Sequence, residues 1–166
     1  MKRIRRIIPI LVLAVILGAI FFYTRPMTLS QLCLGVTVAE SKSVSGYYLI
    51  APGVEDKYFE INEKDTRFAQ IIDLFENRKF RRSLLSLLPQ GTKTYPPQDG
   101  DFRWEIMFEI NDSKFPDGSI ASGTLIRINN FYGILEIHFN GDVWRCTTAD
   151  KDKWLKDVMG IISSVS

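Results

Sequence analysis

The sequence has little of what metal centres and thiol chemistry require. Its 166 residues include one histidine, His138, and two cysteines, Cys33 and Cys146. Zinc sites draw several His and Cys ligands from short spacings, so this set argues against such a site. Two cysteines are also too few for a disulfide scaffold. We therefore expect no bound metal and no cofactor.

Signatures of common catalytic and nucleotide-binding sites are missing as well. The chain has no Gly-rich phosphate loop, no G-x-S-x-G and no H-E-x-x-H. Asp99-Gly100-Asp101 resembles a fragment of a calcium loop but lacks the twelve-residue ligand spacing and the closing Glu. The acidic residues are scattered, and no pair of them stands out for glycoside hydrolysis. The sequence therefore names no catalytic residue.

Basic charge is scarce once the start of the chain is set aside. The whole chain has 21 Lys and Arg against 19 Asp and Glu, a net charge of +2. Lys2, Arg3, Arg5 and Arg6 supply four of these, which leaves 17 against 19, or −2, for the rest. Because nucleic-acid affinity rests on a basic surface, we expect no nucleic-acid partner.

What the chain does have is a long apolar run near its start. Residues 7–24 carry no charge and follow four basic residues. As a helix this run would be about 27 Å long, enough for the hydrocarbon core of a bilayer. The pattern predicts an N-terminal transmembrane helix that contacts lipid through residues 7–24. The positive-inside bias places the N-terminus in the cytoplasm and the rest of the chain outside it.

A cleaved signal peptide is the alternative interpretation of this segment. Cleavage needs small residues shortly after the apolar run, and the run ends in Phe21, Phe22 and Tyr23. A retained anchor is therefore favoured. The predicted organisation is a basic stub and anchor over 1–25, a connector over 26–31, and one extracytoplasmic domain over 32–166.

The rest of the chain predicts an α+β fold. Apolar stripes at helical spacing predict helices over 66–77 and 151–163, with Asp65 or Thr66 and Asp150 as N-caps. Strand-like patterns cover 32–40, 44–50, 57–62, 102–110, 124–128, 134–139 and 143–147. Residues 83–88 fit either a helix or a short strand, and 91–101 and 111–123 are predicted loops. We expect a mostly antiparallel sheet with two helices packed on one face, preceded by the transmembrane helix.

One hairpin can be predicted residue by residue. Asn140-Gly141 lies between two apolar runs and is typical of a type I′ turn. This turn sets Glu136 opposite Arg145 and Leu135 opposite Cys146. His138 then points to the polar face and Cys146 to the apolar face, which argues against a Cys–His nucleophile.

Two groups of residues remain as candidate sites. Cys33 and Cys146 form a candidate disulfide if the domain lies in an oxidising compartment, and two separate half-buried thiols are the alternative. The basic run Arg78, Lys79, Phe80, Arg81 and Arg82 is a candidate contact for an anion or a lipid headgroup. The alternative is a solvated helix end whose basic residues complement the helix dipole.

The layout resembles that of small single-pass, membrane-anchored extracytoplasmic proteins of bacteria. It shares with them a basic start, one anchor and one α+β domain, and no residue role follows from that. We expect a non-enzymatic binding or accessory domain that uses the polar face of the sheet or the long loops to hold an unknown protein or envelope ligand. The alternatives are a cell-envelope hydrolase that uses acidic residues and a membrane-tethered inhibitor or immunity protein.

Overall fold

The fold is described from a computed structural model. The structure describes residues 2–50, 54–87, 102–110, 113–114, 120–121, 123–131 and 133–165. The predicted loop 91–101 lies outside these residues, as does most of the predicted loop 111–123. The connecting segment 51–53 and the stretch 88–90 are also outside them.

The described chain holds helices mainly in its first half and at its end, and six strands follow one another in its second half. The helices are α1 (Lys2–Thr24), α2 (Leu29–Leu32), α3 (Thr66–Glu76) and α4 (Lys151–Ser163), with 3₁₀ helices at Val38–Glu40 and Leu84–Leu87. The strands are β1 (Met27–Thr28), β2 (Ser43–Leu49), β3 (Lys57–Asn62), β4 (Lys79–Arg82), β5 (Arg103–Ile110), β6 (Ser113–Lys114), β7 (Ile120–Ala121), β8 (Thr124–Phe131), β9 (Ile134–Phe139) and β10 (Asp142–Thr148).

Eight of the described strands form one antiparallel sheet in the order β1-β4-β10-β9-β8-β5-β2-β3. Strands β6 and β7 pair separately as a two-stranded unit. The strands β10-β9-β8-β5-β2 are consecutive neighbours in the middle of this sheet. The short strand β1 forms one edge and β3 forms the other.

This architecture corrects the predicted fold class. The described residues hold four α-helices and an eight-stranded sheet, so both the helix count and the sheet size differ from the prediction. Helix α2 was missed because it has one turn, which starts at a capping box between Thr28 and Gln31. The predicted transmembrane helix is not found: none of the helices in the described part of the chain is long and apolar enough to span a bilayer.

The predicted strand over 32–40 is also wrong. Leu34 and Gly35 have φ values of +54° and +92°, in the left-handed region that an extended strand cannot contain. The chain turns there, and Thr37 then caps the 3₁₀ helix at Val38–Glu40 by accepting a hydrogen bond from Ala39 N. Alternation of apolar residues over so short a stretch does not separate a strand from buried turns.

Helices α3 and α4 pack on one face of the sheet, which we call the covered face. The core lies between this face and the two helices. The Trp154 ring from α4 meets the rings of Phe75, Phe80 and Trp104 at centroid distances of 5.1, 5.8 and 6.0 Å. Its indole N–H donates to Leu74 O at 3.0 Å, so the buried polar atom is satisfied. These contacts fix both helices on one side of the sheet.

The predicted β9–β10 hairpin is confirmed in its register. Asn140 and Gly141 have φ values of +49° and +86°, as a type I′ turn requires. Glu136 pairs with Arg145 and Leu135 with Cys146. Asp150 is the N-cap residue of α4, as predicted, but it adopts φ +47° and its side chain makes no capping hydrogen bond.

Candidate functional site on the open face of the sheet

The face of the sheet opposite α3 and α4, which we call the open face, carries rows of polar side chains. Strand pairing places five of them in one row across five strands: Tyr47, Glu105, Asn129, Glu136 and Arg145. The next row holds Ser45, Met107, Arg127, His138 and Val143. Successive residues of a strand point to opposite faces, so residues two positions apart share a face. The residues of these two rows therefore all point to the open face.

Charged groups in these rows pair with one another. Arg145 Nε lies 3.1 Å from Glu136 Oε1, and His138 Nε2 lies 3.7 Å from Glu136 Oε2. Arg127 approaches Glu105 at 4.0 Å. The Glu136 side chain is only 16% exposed, so the electrostatic attraction between its carboxylate and Arg145 is stronger than in a fully solvated pair. We call Glu105, Arg127, Asn129, Glu136, His138 and Arg145 the open-face cluster.

The hydrogen bonds of His138 indicate its tautomer. Arg127 can only donate, and it lies 3.4 Å from His138 Nδ1, so that nitrogen must be the acceptor. The proton of a neutral ring is then on Nε2, 3.2 Å from Asn129 Nδ2, which is also a donor. Asn129 Oδ1 is buried without a partner. Turning the Asn129 amide by 180° sets Oδ1 against His138 Nε2–H and removes the contact between two donors.

His138 is held neutral by its surroundings. Burial lowers the pKa of His138, and the nearby Arg127 cation lowers it further, while the carboxylates of Glu136 and Glu105 oppose the shift. A neutral imidazole can act as donor on one nitrogen and acceptor on the other. The open-face cluster therefore offers donors and acceptors in fixed positions rather than a free positive charge.

An apolar rim accompanies the open-face cluster. Tyr47, Tyr58, Leu125 and Phe131 belong to the open face and are 48%, 52%, 45% and 39% exposed. The rings of Tyr47 and Tyr58 meet edge to face at 5.4 Å. We call these four residues the rim. Large exposed aromatic and aliphatic side chains that share a surface with polar groups are typical of surfaces that bind another molecule.

Two shallow depressions lie at the ends of this surface. One, of about 390 Å³, is lined by Arg127, His138 and the β9–β10 turn. The other, of about 200 Å³, is lined by Tyr47, Asp56, Glu105 and Phe131 along with Arg103. In the second, Arg103 binds both carboxylate oxygens of Asp56, at 2.9 and 2.7 Å. Neither depression is a deep cleft of the kind that encloses a small substrate.

The two cysteines lie in the core as free thiols. Burial raises the pKa of each to about 12, and the closeness of Cys146 adds to the shift at Cys33. Such thiols are poor nucleophiles at neutral pH. Cys146 and His138 occupy opposite faces of the hairpin, as predicted, so they form no dyad. The Cys33–Cys146 disulfide stays a prediction.

The basic run at 78–82 is split between two faces. Phe80 is fully buried against Trp154, so its ring is unavailable to lipid. Arg78 donates to Thr148 Oγ1 at 2.8 Å and to Ala149 O, and its guanidinium lies 5.4 Å from the centre of the Trp154 ring. Lys79 and Arg81 are exposed. The run therefore does not form one patch, and its anion or headgroup contact stays a prediction for the exposed members.

Helix α1 carries a second unusual surface. Leu11, Val12 and Leu13 are 60%, 52% and 56% exposed, and three consecutive helical positions point in three different directions. The exposed apolar surface thus surrounds the helix rather than following one stripe. Phe21 and Phe22, near its C-terminal end, are 77% and 61% exposed.

Comparison with other proteins gives no guide to this site. The chain matches no protein-family model, no curated protein and no solved structure at a significant level.

Sequence reasoning found part of the open-face cluster and missed the rest. The hairpin register placed Glu136, His138 and Arg145 on one face. Asn129 was missed because β8 was predicted to end at residue 128, whereas it runs to Phe131. Arg127 lay within the predicted strand, but its position opposite His138 depends on the pairing of β8 with β9, which the sequence did not predict. In β8, alternate residues point to the covered face, and these are Ile126, Ile128 and Asn130. Because Asn130 is polar although it is buried, the strand pattern in the sequence ends before it.

Proposed function

We propose that this protein is a binding module, attached to a membrane through α1, that holds a protein partner on the open face of its sheet. The observation that carries the proposal is the pairing of the rim with the open-face cluster on one surface. A sheet face that only meets water has no need of two tyrosines, a leucine and a phenylalanine at 39% exposure or more.

The size of the surface fits a protein partner. In the order of the sheet, the six neighbouring strands β10-β9-β8-β5-β2-β3 are separated by five strand spacings, a width of roughly 24 Å. The eight residues of β5 extend over roughly 27 Å. The resulting area of roughly 650 Å² is close to the 800 Å² or so that each partner buries in a standard protein interface. A small ligand would leave most of this surface uncovered.

The open-face cluster would supply specificity. Its charges are paired within the chain, and Arg127 has a side chain that is 42% exposed. A partner that sets a carboxylate against Arg127 gains a charge-assisted hydrogen bond, and a partner with a cation there is repelled. The rim adds tyrosine and phenylalanine rings, which commonly dominate the binding energy of interfaces.

Attachment to a membrane is supported by the apolar surface around α1. Exposed aliphatic side chains on all sides of a helix are unfavourable in water and favourable against lipid. Lipid contact through 7–24 is thus part of the proposal. The location of the folded domain outside the cytoplasm stays a prediction, and a reporter that is active only outside the cytoplasm, fused after Ser166, tests it by its signal.

Vesicle flotation tests the attachment. The full chain should float with phosphatidylcholine vesicles, and replacing Leu13 and Ile16 by lysine should abolish flotation because it places two charges on the apolar surface that contacts lipid. The matched control replaces Lys153 and Lys156, exposed on α4, by leucine and should float like the wild type. Full-length protein that stays in the aqueous fraction would rule out the attachment.

Charge reversal tests the partner site. Arg127→Glu should reduce the amount of co-purifying partner by about tenfold, because it sets like charges together in the interface. Lys153→Glu makes the same charge change on the outer surface of α4 and should leave the partner bound. Equal recovery of the partner with both variants would remove the open face from the proposal. A single tight partner would also favour the inhibitor or immunity interpretation over a general accessory role.

The hydrolase alternative retains one supporting observation. The smaller depression is lined by two carboxylate residues, Asp56 and Glu105, and by the exposed aromatic residues Tyr47 and Phe131. Both carboxylate oxygens of Asp56 already accept hydrogen bonds from Arg103, which leaves this carboxyl group less available to a substrate. Turnover of a cell-wall polysaccharide by the full chain that is lost in Glu105→Gln would favour this alternative.

A further inference from the structure

The end of α1 is joined to the sheet by an arginine. Arg82, the last residue of β4, donates from Nε to Tyr23 O at 3.1 Å. Its guanidinium carbon also lies 4.3 Å from the centre of the Tyr23 ring. Tyr23 is the penultimate residue of α1, so the guanidinium marks the level at which the exposed apolar helix meets the folded domain.

A second arginine repeats the arrangement on the neighbouring ring. Arg25 is exposed and lies 4.4 Å from the centre of the Phe22 ring. A guanidinium stacked on an aromatic ring keeps its N–H groups directed outward in the plane of the group, where they can bind phosphate oxygens in pairs. Two guanidinium groups are thus held at the same end of the same helix.

Exposed leucines lie next to this pair. The 3₁₀ helix Leu84–Leu87 starts two residues after Arg82, so the Cα atoms of Arg82 and Leu84 are at most about 7 Å apart. Leu84 and Leu87 are 44% and 65% exposed. Arg81, the residue before Arg82 in β4, is exposed on the opposite face of the strand. Basic and apolar side chains therefore surround this end of β4 from both faces of the sheet.

We infer that Arg25, Arg81, Arg82, Leu84 and Leu87, which we call the collar, bind the headgroup region of a membrane that contains anionic phospholipid. The arginines bind lipid phosphates, and the two leucines reach the boundary with the acyl chains. This inference rests on the proposed attachment through α1. The argument for lipid as the occupant is continuity, because the collar begins where the exposed apolar surface of α1 ends.

Binding by the collar would orient the domain. With α1 alone, the folded part could tilt on residues 25–26, which connect α1 to β1. Collar contacts hold the β1–β4 edge of the sheet on the membrane. The opposite edge, β3, is six strand spacings from β4, or roughly 29 Å, and therefore stays away from lipid. The rim and the open-face cluster are then presented to a partner at a fixed angle.

A fluorescent label at position 87 tests the inference. The full chain with Leu87→Cys is labelled, since Cys33 and Cys146 are buried, and is placed in nanodiscs that carry a headgroup quencher. The control label is at Tyr58→Cys on β3. We expect quenching at position 87 with little at position 58, and stronger quenching at 87 in discs that contain phosphatidylglycerol than in phosphatidylcholine discs.

Charge removal gives the quantitative arm. The quenching at position 87 gives the ratio of molecules whose collar contacts the membrane to molecules whose collar does not. Arg25→Gln and Arg81→Gln should each lower this ratio by about fivefold in phosphatidylglycerol discs, since each basic side chain contributes about that factor near an anionic surface. Lys57→Gln, on the far edge β3, is the matched control and should have no effect. Equal quenching at 87 and 58, or equal ratios for the arginine and Lys57 variants, would overturn the inference. Flotation of the same protein shows separately whether attachment itself holds.

Discussion

The covered face and the open face are built by the same strands and differ in what their side chains contact. At the covered face, Trp104 of β5 meets Phe75 of α3 and Trp154 of α4 ring to ring, and all three side chains are at most 1% exposed. On the open face, Tyr47 and Tyr58 also meet ring to ring, yet each is about half exposed. Aromatic pairs of similar geometry thus occur in two environments.

The difference separates stability from recognition. Rings on the covered face remove apolar area from water within the chain, and folding alone accounts for them. Rings on the open face leave much of their area in contact with solvent, so folding gains less from them. What remains exposed is available to a partner, which is why we assign binding to the open face and stability to the covered face.

Replacing one ring on each face should give the largest contrast. Trp154→Ala should lower the free energy of unfolding by roughly 3–5 kcal/mol, because it leaves a cavity among Phe75, Phe80 and Trp104. Tyr47→Ala should lower it by less than about 1 kcal/mol, as expected for a surface position. Denaturant unfolding of the full chain in detergent measures both. Equal losses would end the distinction between the faces.

Glycine substitutions sharpen the contrast between packed and solvated positions. A Cβ at Gly46 in β2 would overlap the backbone oxygen of Glu105, so the Gly46→Ala variant must push β2 from β5 and should lose about 1–3 kcal/mol of stability. A Cβ at Gly160 in α4 meets nothing within 4 Å. Gly160→Ala should therefore raise stability by about 1 kcal/mol, through helix propensity. Unfolding curves of the two variants should shift in opposite directions.

The smallest expected effect is a pH dependence from the open face. The pKa of His138 is lower in the folded protein than the value of 6.5 for a free side chain, because burial and Arg127 oppose its charge. The unfolded chain therefore binds a proton more readily, so stability is complete above pH 6.5 and falls as the pH drops below it. Stability measured from pH 7.5 to 5.5 should fall less in His138→Gln than in the wild type, and an identical fall would contradict the assigned pKa shift.

Sequence patterns predicted best where local chemistry decides the structure. Asn140-Gly141 sets a turn with two positive φ angles, and the register of β9 on β10 follows from it. Asp65 caps α3 by accepting a hydrogen bond from Arg67 N at 2.9 Å, as its position before an apolar stripe indicates. In both cases a few neighbouring residues fix the geometry.

Prediction failed where distant contacts decide. The run Lys79–Arg82 has one apolar residue, and it becomes a strand because Phe80 packs on Trp154 and because β10 and β1 pair on either side. The rim could not be found from sequence, since Tyr58, Tyr47 and Phe131 come from three strands that only the sheet order brings together. A pattern of alternate residues does not reveal which strands are neighbours.

Site-specific photo-crosslinking in the cells that make this protein tests the central claim most directly. A photoreactive residue at Tyr47 or Leu125 samples the open face, and one at Lys153 samples the outer surface of α4. We predict one discrete crosslinked protein from Tyr47 and Leu125, its loss when Arg127→Glu is added, and no such product from Lys153. The same products from all three positions, or none from the open face, would contradict a partner-binding role for this surface.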